Sequence, residues 1–328
     1  MLGNAGESPG VAPLLSVIIE TYTVSHEYPP NEALAQLGLT LNRLRGQTYP
    51  KQRTEIIVVV DDSNRGLADF VAANYPEVAI TLARQGTYLS MKNQGFEVAR
   101  GDIIALLDAD CLPSPQWLER IAGALAGGAD VVAGKTRYRP EHRFANTFSV
   151  FDFGHVQADR NGKTFSFNVN NLAFRREVVA RNRFDQRVRR NGGCYLFWRK
   201  LGLANYDMIY DPRVFAGHGN DFSGLGIVRK HIERGFDFLT LLRISSPEQL
   251  DASRYKRWGA LVPFGMFASR VLFDFRRMIT NRRDLGIRIY ELPYYYAVSL
   301  FIRGLELIGG LVAVFKPDHY STMECAAS

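Results

Sequence analysis

GTYLSMKNQGFEVARGDIIALLDADCLPSPQWL occupies residues 86–118, and several structural signals follow one another within it. Met91 to Ala99 reads as a helix. Ile103 to Leu107 is a short aliphatic run suited to a strand buried on both faces. The run ends at Asp108-Ala109-Asp110. Ser114-Pro115 then offers a hydroxyl N-cap and a proline at the first helical position.

The residues before this block repeat the alternation. Leu15 to Ile19, Ile56 to Val60 and Val78 to Leu82 are strand-like. Leu34, Leu37, Leu41 and Leu44 recur at helical spacing between the first two, as in an amphipathic crossover helix. Strand and helix in alternation with short connections predict an α/β fold, a doubly wound and mostly parallel sheet. Further on, Lys163 to Phe174 reads as strand, and Lys and Arg crowd Arg175 to Lys200 against only Glu177 and Asp185. That crowding is either a solvated charged face or an attraction for an anionic acceptor.

Ligands of open α/β sheets bind at the carboxyl ends of the strands. Two strands here end in carboxylates, at Asp61-Asp62 and at Asp108/Asp110. An Asp-x-Asp on extended backbone turns both side chains to one face. It can offer hard oxygen ligands to Mg²⁺ or Mn²⁺, which in turn bridges a diphosphate and acts as a Lewis acid. The plainer alternatives are solvated loop carboxylates at Asp108/Asp110 and a strand-terminal turn at Asp61-Asp62.

Composition narrows the classes. Hydrophobic residues at 46% and charged residues at 22% mark an ordered globular chain. The formal charge of +7 favours anionic partners such as diphosphates or acidic headgroups. No reading motif or dense basic tail points to nucleic acid. Cys111, Cys194 and Cys325 make neither a disulfide framework nor a C-x-x-C site, which fits a reducing compartment, the cytoplasm. Residues 1–12 lack a signal-peptide pattern and read as a disordered lead-in. VIIETYTVSHEYPPNEAL, around the first strand end, contains no glycine. That weighs against a nucleotidyltransferase and against a dinucleotide-binding dehydrogenase.

Taken in order, PLLSVIIETYT, TEIIVVVDDSN, the 86–118 block, NVNNLAFRREV and YDPRVFAGH resemble the GT-A glycosyltransferases of family 2. The long central block is the most specific of these. The resemblance implies a nucleotide-sugar-binding catalytic domain over residues 13–225. It implies a metal-dependent hexosyltransferase moving sugar from a UDP- or GDP-linked donor to an acceptor hydroxyl, in cell-envelope, polysaccharide or glycolipid synthesis. By position in the motifs, Thr21 and Tyr22 would flank the nucleotide base, and Asp61 or Asp62 would contact base or ribose. Lys92 and Asn93 would approach the donor, though Lys92 also reads as a solvated helix-start residue. Asp108 would lie by ribose and metal, Asp110 would be the principal metal ligand, and His218 would complete the metal shell. Asn170 and Asn171 would either bond acceptor hydroxyls or satisfy local backbone.

Two departures from the family pattern stand out. Glu20 replaces a usual proline, and Gly192-Gly193 stands where an acidic pair normally supplies the catalytic base. Three accounts stay open: another carboxylate, Asp185 or Asp221, serves as base; the acceptor is already ionised, as a phosphate or a carboxylate is; or the chain is a catalytically silent nucleotide-sugar-binding subunit.

Residues 226–328 read as a helical, membrane-facing region. Pro293 to Phe315 is long enough to span a bilayer but carries Arg303 and Glu306, costly in lipid and spaced to pair on a helix. Val262 to Met278 mixes phenylalanines with arginines like an interfacial helix. The expectation is peripheral contact at the inner face of the plasma membrane, with a true span or soluble core helices as the alternatives, and a saccharide or lipid-linked acceptor.

Overall fold

The computed structural model of the protein describes residues 14–84, 86–139, 143–187, 191–219, 224–245 and 258–317. The lead-in over residues 1–12, Asp221 and Cys325 lie outside the described residues. Eight strands form one sheet: β1 Leu15–Glu20, β2 Thr54–Asp61, β3 Ala79–Ala83, β4 Ile103–Asp108, β5 Cys111–Pro113, β6 Val131–Tyr138, β7 Asn171–Arg175 and β8 Met208–His218. The helices are α1 Tyr22–Glu27, α2 Pro30–Arg45, α3 Arg65–Asn74, α4 Tyr88–Val98, α5 Trp117–Ala126, α6 Arg143–Asp152, α7 Arg176–Arg181, α8 Gly193–Leu203, α9 Gly224–Ile244, α10 Val262–Thr280, α11 Arg282–Leu285 and α12 Leu292–Phe315.

The strand order is β3-β2-β1-β4-β7-β6-β8-β5. The first four strands are parallel, β7 is antiparallel to both its neighbours, and β8 runs parallel to β6. Aliphatic runs form the parallel half because both of its faces are covered. Alternate residues divide cleanly between them. Ile18, Ile57, Val59, Ile104 and Leu106 pack with Leu89, Met91 and Phe96 of α4 and with Leu196 and Phe197 of α8. Val17, Ile19, Val58, Val60, Ala105 and Leu107 pack with Leu37 and Leu41 of α2 and with Leu118 and Ile121 of α5. Each such side chain contributes about 1.5–3 kcal/mol on burial.

β5 follows β4 almost at once, yet it pairs with β8 at the far end of the strand order. The sheet therefore curls, and the short link Asp108-Ala109-Asp110 crosses between the ends of β4 and β8. This crossing is what positions the site.

The structure shifts two of the elements read from sequence. Of the stretch from Lys163 to Phe174, only the end joins β7, and Lys163 makes an isolated bridge to Ile209. Asp159 accepts the N–H groups of Asn161 and Lys163, and that turn withdraws the start of the stretch from the sheet. Ser114 is not the N-cap of α5. Its N–H bonds to Phe215 at 2.9 Å, which continues the β5–β8 pairing, and the helix begins at Trp117. α4 starts a turn earlier than its apolar run, because Thr87 and Ser90 form a reciprocal capping box.

The C-terminal helices pack as a layer on α9. A Cβ at Gly235 would lie 1.9 Å from the Glu306 carbonyl oxygen, and one at Gly309 would lie 1.9 Å from that of Ile232. Only glycine lets the backbones of α9 and α12 approach this closely. Arg303 and Glu306 do pair, and they are buried. The outer side of the layer exposes Leu272 at 69%, Phe273 at 54%, Phe301 at 55% and Phe315 at 73%.

Candidate active site

Asp108 closes β4, Asp110 follows two residues later, and His218 closes β8, facing Cys111 of β5 across the ladder. The His218 ring reaches both carboxylates: Nδ1 is 3.2 Å from Asp110 Oδ2, and Nε2 is 3.8 Å from Asp108 Oδ2. Tyr28 donates to Asp110 Oδ2 at 3.0 Å. Asp110 Oδ1 is buried and has no hydrogen-bond partner among the described residues. One donor atom each from Asp110, Cys111 and His218 lies within 4.8 Å of the others.

This arrangement fits a divalent cation. Carboxylate and imidazole donors suit Mn²⁺ or Mg²⁺, and an orphaned buried carboxylate oxygen is costly until something positive meets it. Burial pushes the Asp110 carboxyl up to about 6; His218 opposes the rise, while Glu27 and Asp108 add to it. Burial also raises the Cys111 thiol, so Cys111 is the weakest donor of the three.

Asp108 differs from Asp110 in being held. Lys92 Nζ donates to its Oδ1 at 2.7 Å, and Tyr88 donates to its Oδ2 at 3.0 Å. Burial raises the Asp108 carboxyl, but attraction to Lys92 and His218 and these hydrogen bonds outweigh it and hold the group below its usual range. Lys92 is 0% exposed, which overturns the solvated reading: it lies within α4, boxed in by Asp108 and Glu20. The Glu20 carboxylate is 3.7 Å from Lys92 Nζ and accepts from the Thr23 N–H and hydroxyl at the start of α1. The glutamate in place of proline thus caps α1 and shares the charge of Lys92. Burial pushes Glu20 up to about 8 against the pull of Lys92.

The other sequence candidates divide. The Thr21 hydroxyl and N–H both turn inward to the Val59 carbonyl, whereas the half-buried Tyr22 ring stacks on His26 at 3.9 Å. Asp61 accepts from Ser63 and from the Gly86 N–H at 2.8 Å. Burial raises its carboxyl, and these bonds more than reverse the rise. Asp62 is half-buried beside it.

Asn93 gives its amide to the backbone of Phe184, donating to the carbonyl at 2.9 Å and accepting the N–H at 3.0 Å. It therefore pins the loop that carries Asp185. Asp185 itself is engaged by Arg187, whose hydrogen bonds hold the carboxyl below its usual range. Asn171 bonds the Lys135 and Val214 carbonyls and the Trp117 indole, and Asn170 accepts from the Thr136 hydroxyl. The asparagine pair satisfies its own surroundings.

Gly192 caps α8 with φ 86°, and a Cβ at Gly193 would fall 2.0 Å from the Leu89 side chain. Gly193 is packed against α4, and Gly192 faces Leu241 of α9.

Tyr28, Tyr88 and Tyr138 were not among the residues singled out from sequence. Tyr88 sits four residues before Lys92 on one helix face, a usable signal. Tyr28 and Tyr138 reach the site only through long-range packing.

The fold is that of the GT-A glycosyltransferases. The sequence model of glycosyl transferase family 2 matches residues 16–183, just over half of the chain, and the chain belongs to that family. It is 36% identical over 132 residues to glycosyltransferase AglE of Haloferax volcanii, covering 38% of this chain and 40% of that one. It is 32% identical over 171 residues to the undecaprenyl-phosphate 4-deoxy-4-formamido-L-arabinose transferase of Proteus mirabilis, covering 50% of each. With the dolichol-phosphate mannosyltransferase of Pyrococcus furiosus it shares 31% identity over 128 residues, 38% of this chain and 33% of that one. The chain thus spans half or less of the length of these relatives. Among solved structures, the mannosyltransferase of Pyrobaculum calidifontis in complex with GDP-Man and Mn²⁺ superimposes with TM-score 0.56 and 19% identity, over 95% of this chain and 90% of that one. At that identity the likeness establishes the fold.

Proposed function

We propose that this glycosyltransferase moves a sugar from a UDP- or GDP-linked donor, with Mn²⁺ or Mg²⁺, to an already ionised phosphate acceptor carried by a lipid at the cytoplasmic membrane surface. The observation that supports the donor half is the approach of Asp108 and Asp110 to the His218 ring, with the second Asp110 oxygen buried and without a hydrogen-bond partner among the described residues. Asp110 and His218 would hold the cation, and Lys92 and Tyr88 fix the angle at which Asp108 faces it. When bound there, such a cation supplies Lewis-acid stabilisation of the departing nucleoside diphosphate. Tyr22, stacked on His26 at the neighbouring strand end, stands where the family resemblance puts the base.

The acceptor half is supported by Gly192 and Gly193. A neutral hydroxyl wants a carboxylate base on the acceptor face, and those positions supply only packing. A phosphate oxygen attacks without losing a proton. Two relatives are named for undecaprenyl phosphate and dolichol phosphate, and the exposed apolar side chains of α10 and α12 suit a lipid surface. The same glycines favour a second reading, a silent nucleotide-sugar-binding subunit, which donor turnover by the purified protein would exclude.

Titration with Mn²⁺ followed by electron paramagnetic resonance tests the site directly. The free-ion signal falls on adding wild-type protein and nucleoside diphosphate, and Asp110→Asn restores it. Equal loss of signal in both proteins would place the cation elsewhere.

A further inference from the structure

The proposed acceptor brings negative charge to a site already lined with carboxylates, so cations must meet it. Three described arginines of the basic segment are already committed elsewhere. Arg175 donates to the carbonyls of Leu125 and Ala129, Arg176 to that of Ala99, and Arg187 to Asp185. These guanidinium groups brace the fold.

A different group lies between the metal-ligand set and the lipid-facing helices. Tyr138 pairs with His218 across the β6–β8 ladder, and its ring stands 5.5 Å from the imidazole. Its hydroxyl donates to Asp152 at 2.6 Å. Lys230 and Arg234, one turn apart on α9, reach the same carboxylate at 2.8 and 2.6 Å. Asp152 is 2% exposed, whereas Lys230 is 34% and Arg234 21% exposed. One buried carboxylate therefore anchors both cations; Arg234 is also attracted by Glu306, and Lys230 is the more exposed of the two. An ammonium has three donors, and Lys230 uses two of them, on Asp152 and the Tyr138 hydroxyl.

Resting on the transferase reading above, we propose that Lys230, supported by Arg234, binds the phosphate of the acceptor and sets its oxygen toward the donor. The phosphate stands one tyrosine ring from His218, on the side where α9 meets α12 and the apolar face. An acceptor oxygen forms the bond to the anomeric carbon as the bond to the nucleoside diphosphate breaks, with the electron pair leaving on the diphosphate. No proton needs removal. Asp152 and Tyr138 are positioning residues, holding the ammonium in place.

The test follows nucleoside diphosphate release by the full chain with Mn²⁺ and its nucleotide-sugar. Acceptor is supplied either as polyprenyl phosphate in phosphatidylcholine vesicles or as a water-soluble short-chain prenyl phosphate. Lys230→Gln is expected to raise half-saturation for both acceptors by roughly tenfold, the loss of one charge-assisted contact. Its nucleotide affinity stays at the wild-type value, which also reports folding. Lys230→Arg restores most of the effect, and Arg229→Gln, on the same helix and with the same charge change, leaves half-saturation unmoved.

Unchanged half-saturation in Lys230→Gln, with wild-type protein turning over on phosphate acceptors, overturns this assignment alone. A change confined to the vesicle arm makes Lys230 a membrane-surface contact and also overturns it. Wild-type protein that binds nucleotide yet ignores both phosphates while glycosylating a neutral saccharide overturns the acceptor reading itself.

Discussion

Asp110 and Glu306 are both buried carboxylates facing nitrogen groups, one just beyond β4 and the other midway along α12. Glu306 has both oxygens met, by Arg303 at 2.7 and 2.8 Å and by Arg270 at 2.5 Å. Its neighbour in the network, Asp274, is likewise closed by Arg277, Ser299 and Arg303. Asp110 has Tyr28 and His218 on one oxygen and, among the described residues, no partner on the other. A closed set of partners makes a buried charge part of the packing, and an open set leaves it able to take a ligand. A buried carboxylate is therefore closed into the packing in α12 and left open to a ligand beside β4.

The largest expected effect breaks the open set. Asp110→Ala should cut sugar transfer by at least about 100-fold with little change in melting temperature, because catalysis loses a charge stabiliser while the core loses no packing. Next comes the closed set. Arg303→Ala takes a shared partner from Asp274 and Glu306, which keep Arg277 and Arg270, and should destabilise the protein by about 3 kcal/mol in denaturant titration. Nucleotide affinity per folded molecule should be unchanged. A variant that lost nucleotide binding without losing stability would erase the distinction between the two regions. Gly309→Ala presses a Cβ onto the Ile232 carbonyl and should cost about 1–3 kcal/mol. Smallest in stability is Phe301→Ser, within about 0.5 kcal/mol, since that ring is 55% exposed. It should nonetheless weaken co-sedimentation with lipid vesicles, and unchanged vesicle binding would remove the lipid role of this face.

How far the sequence carries depends on the range of the interaction. β1, β2 and β4 are buried on both faces and read as unbroken aliphatic runs, and Asp108 and Asp110 announce themselves at a strand end. Arg303 and Glu306 are spaced to pair and do so. Local hydrogen bonding hides the rest: the Asp159 turn interrupts a strand-like run, and the Thr87–Ser90 capping box moves a helix start. Side-chain roles were least legible where the partner is distant. Nothing near Asn93 signals that its amide is spent on Phe184, or that Tyr28 reaches Asp110 across 82 residues of chain.

Calorimetric titration with UDP, GDP and their sugar conjugates, in Mn²⁺ and then in chelator, tests the central claim most directly. Binding of one nucleotide that needs the metal and is lost in Asp110→Ala is the result this account predicts. Folded protein that binds neither nucleotide, or binds one equally well in chelator and in the variant, would contradict it.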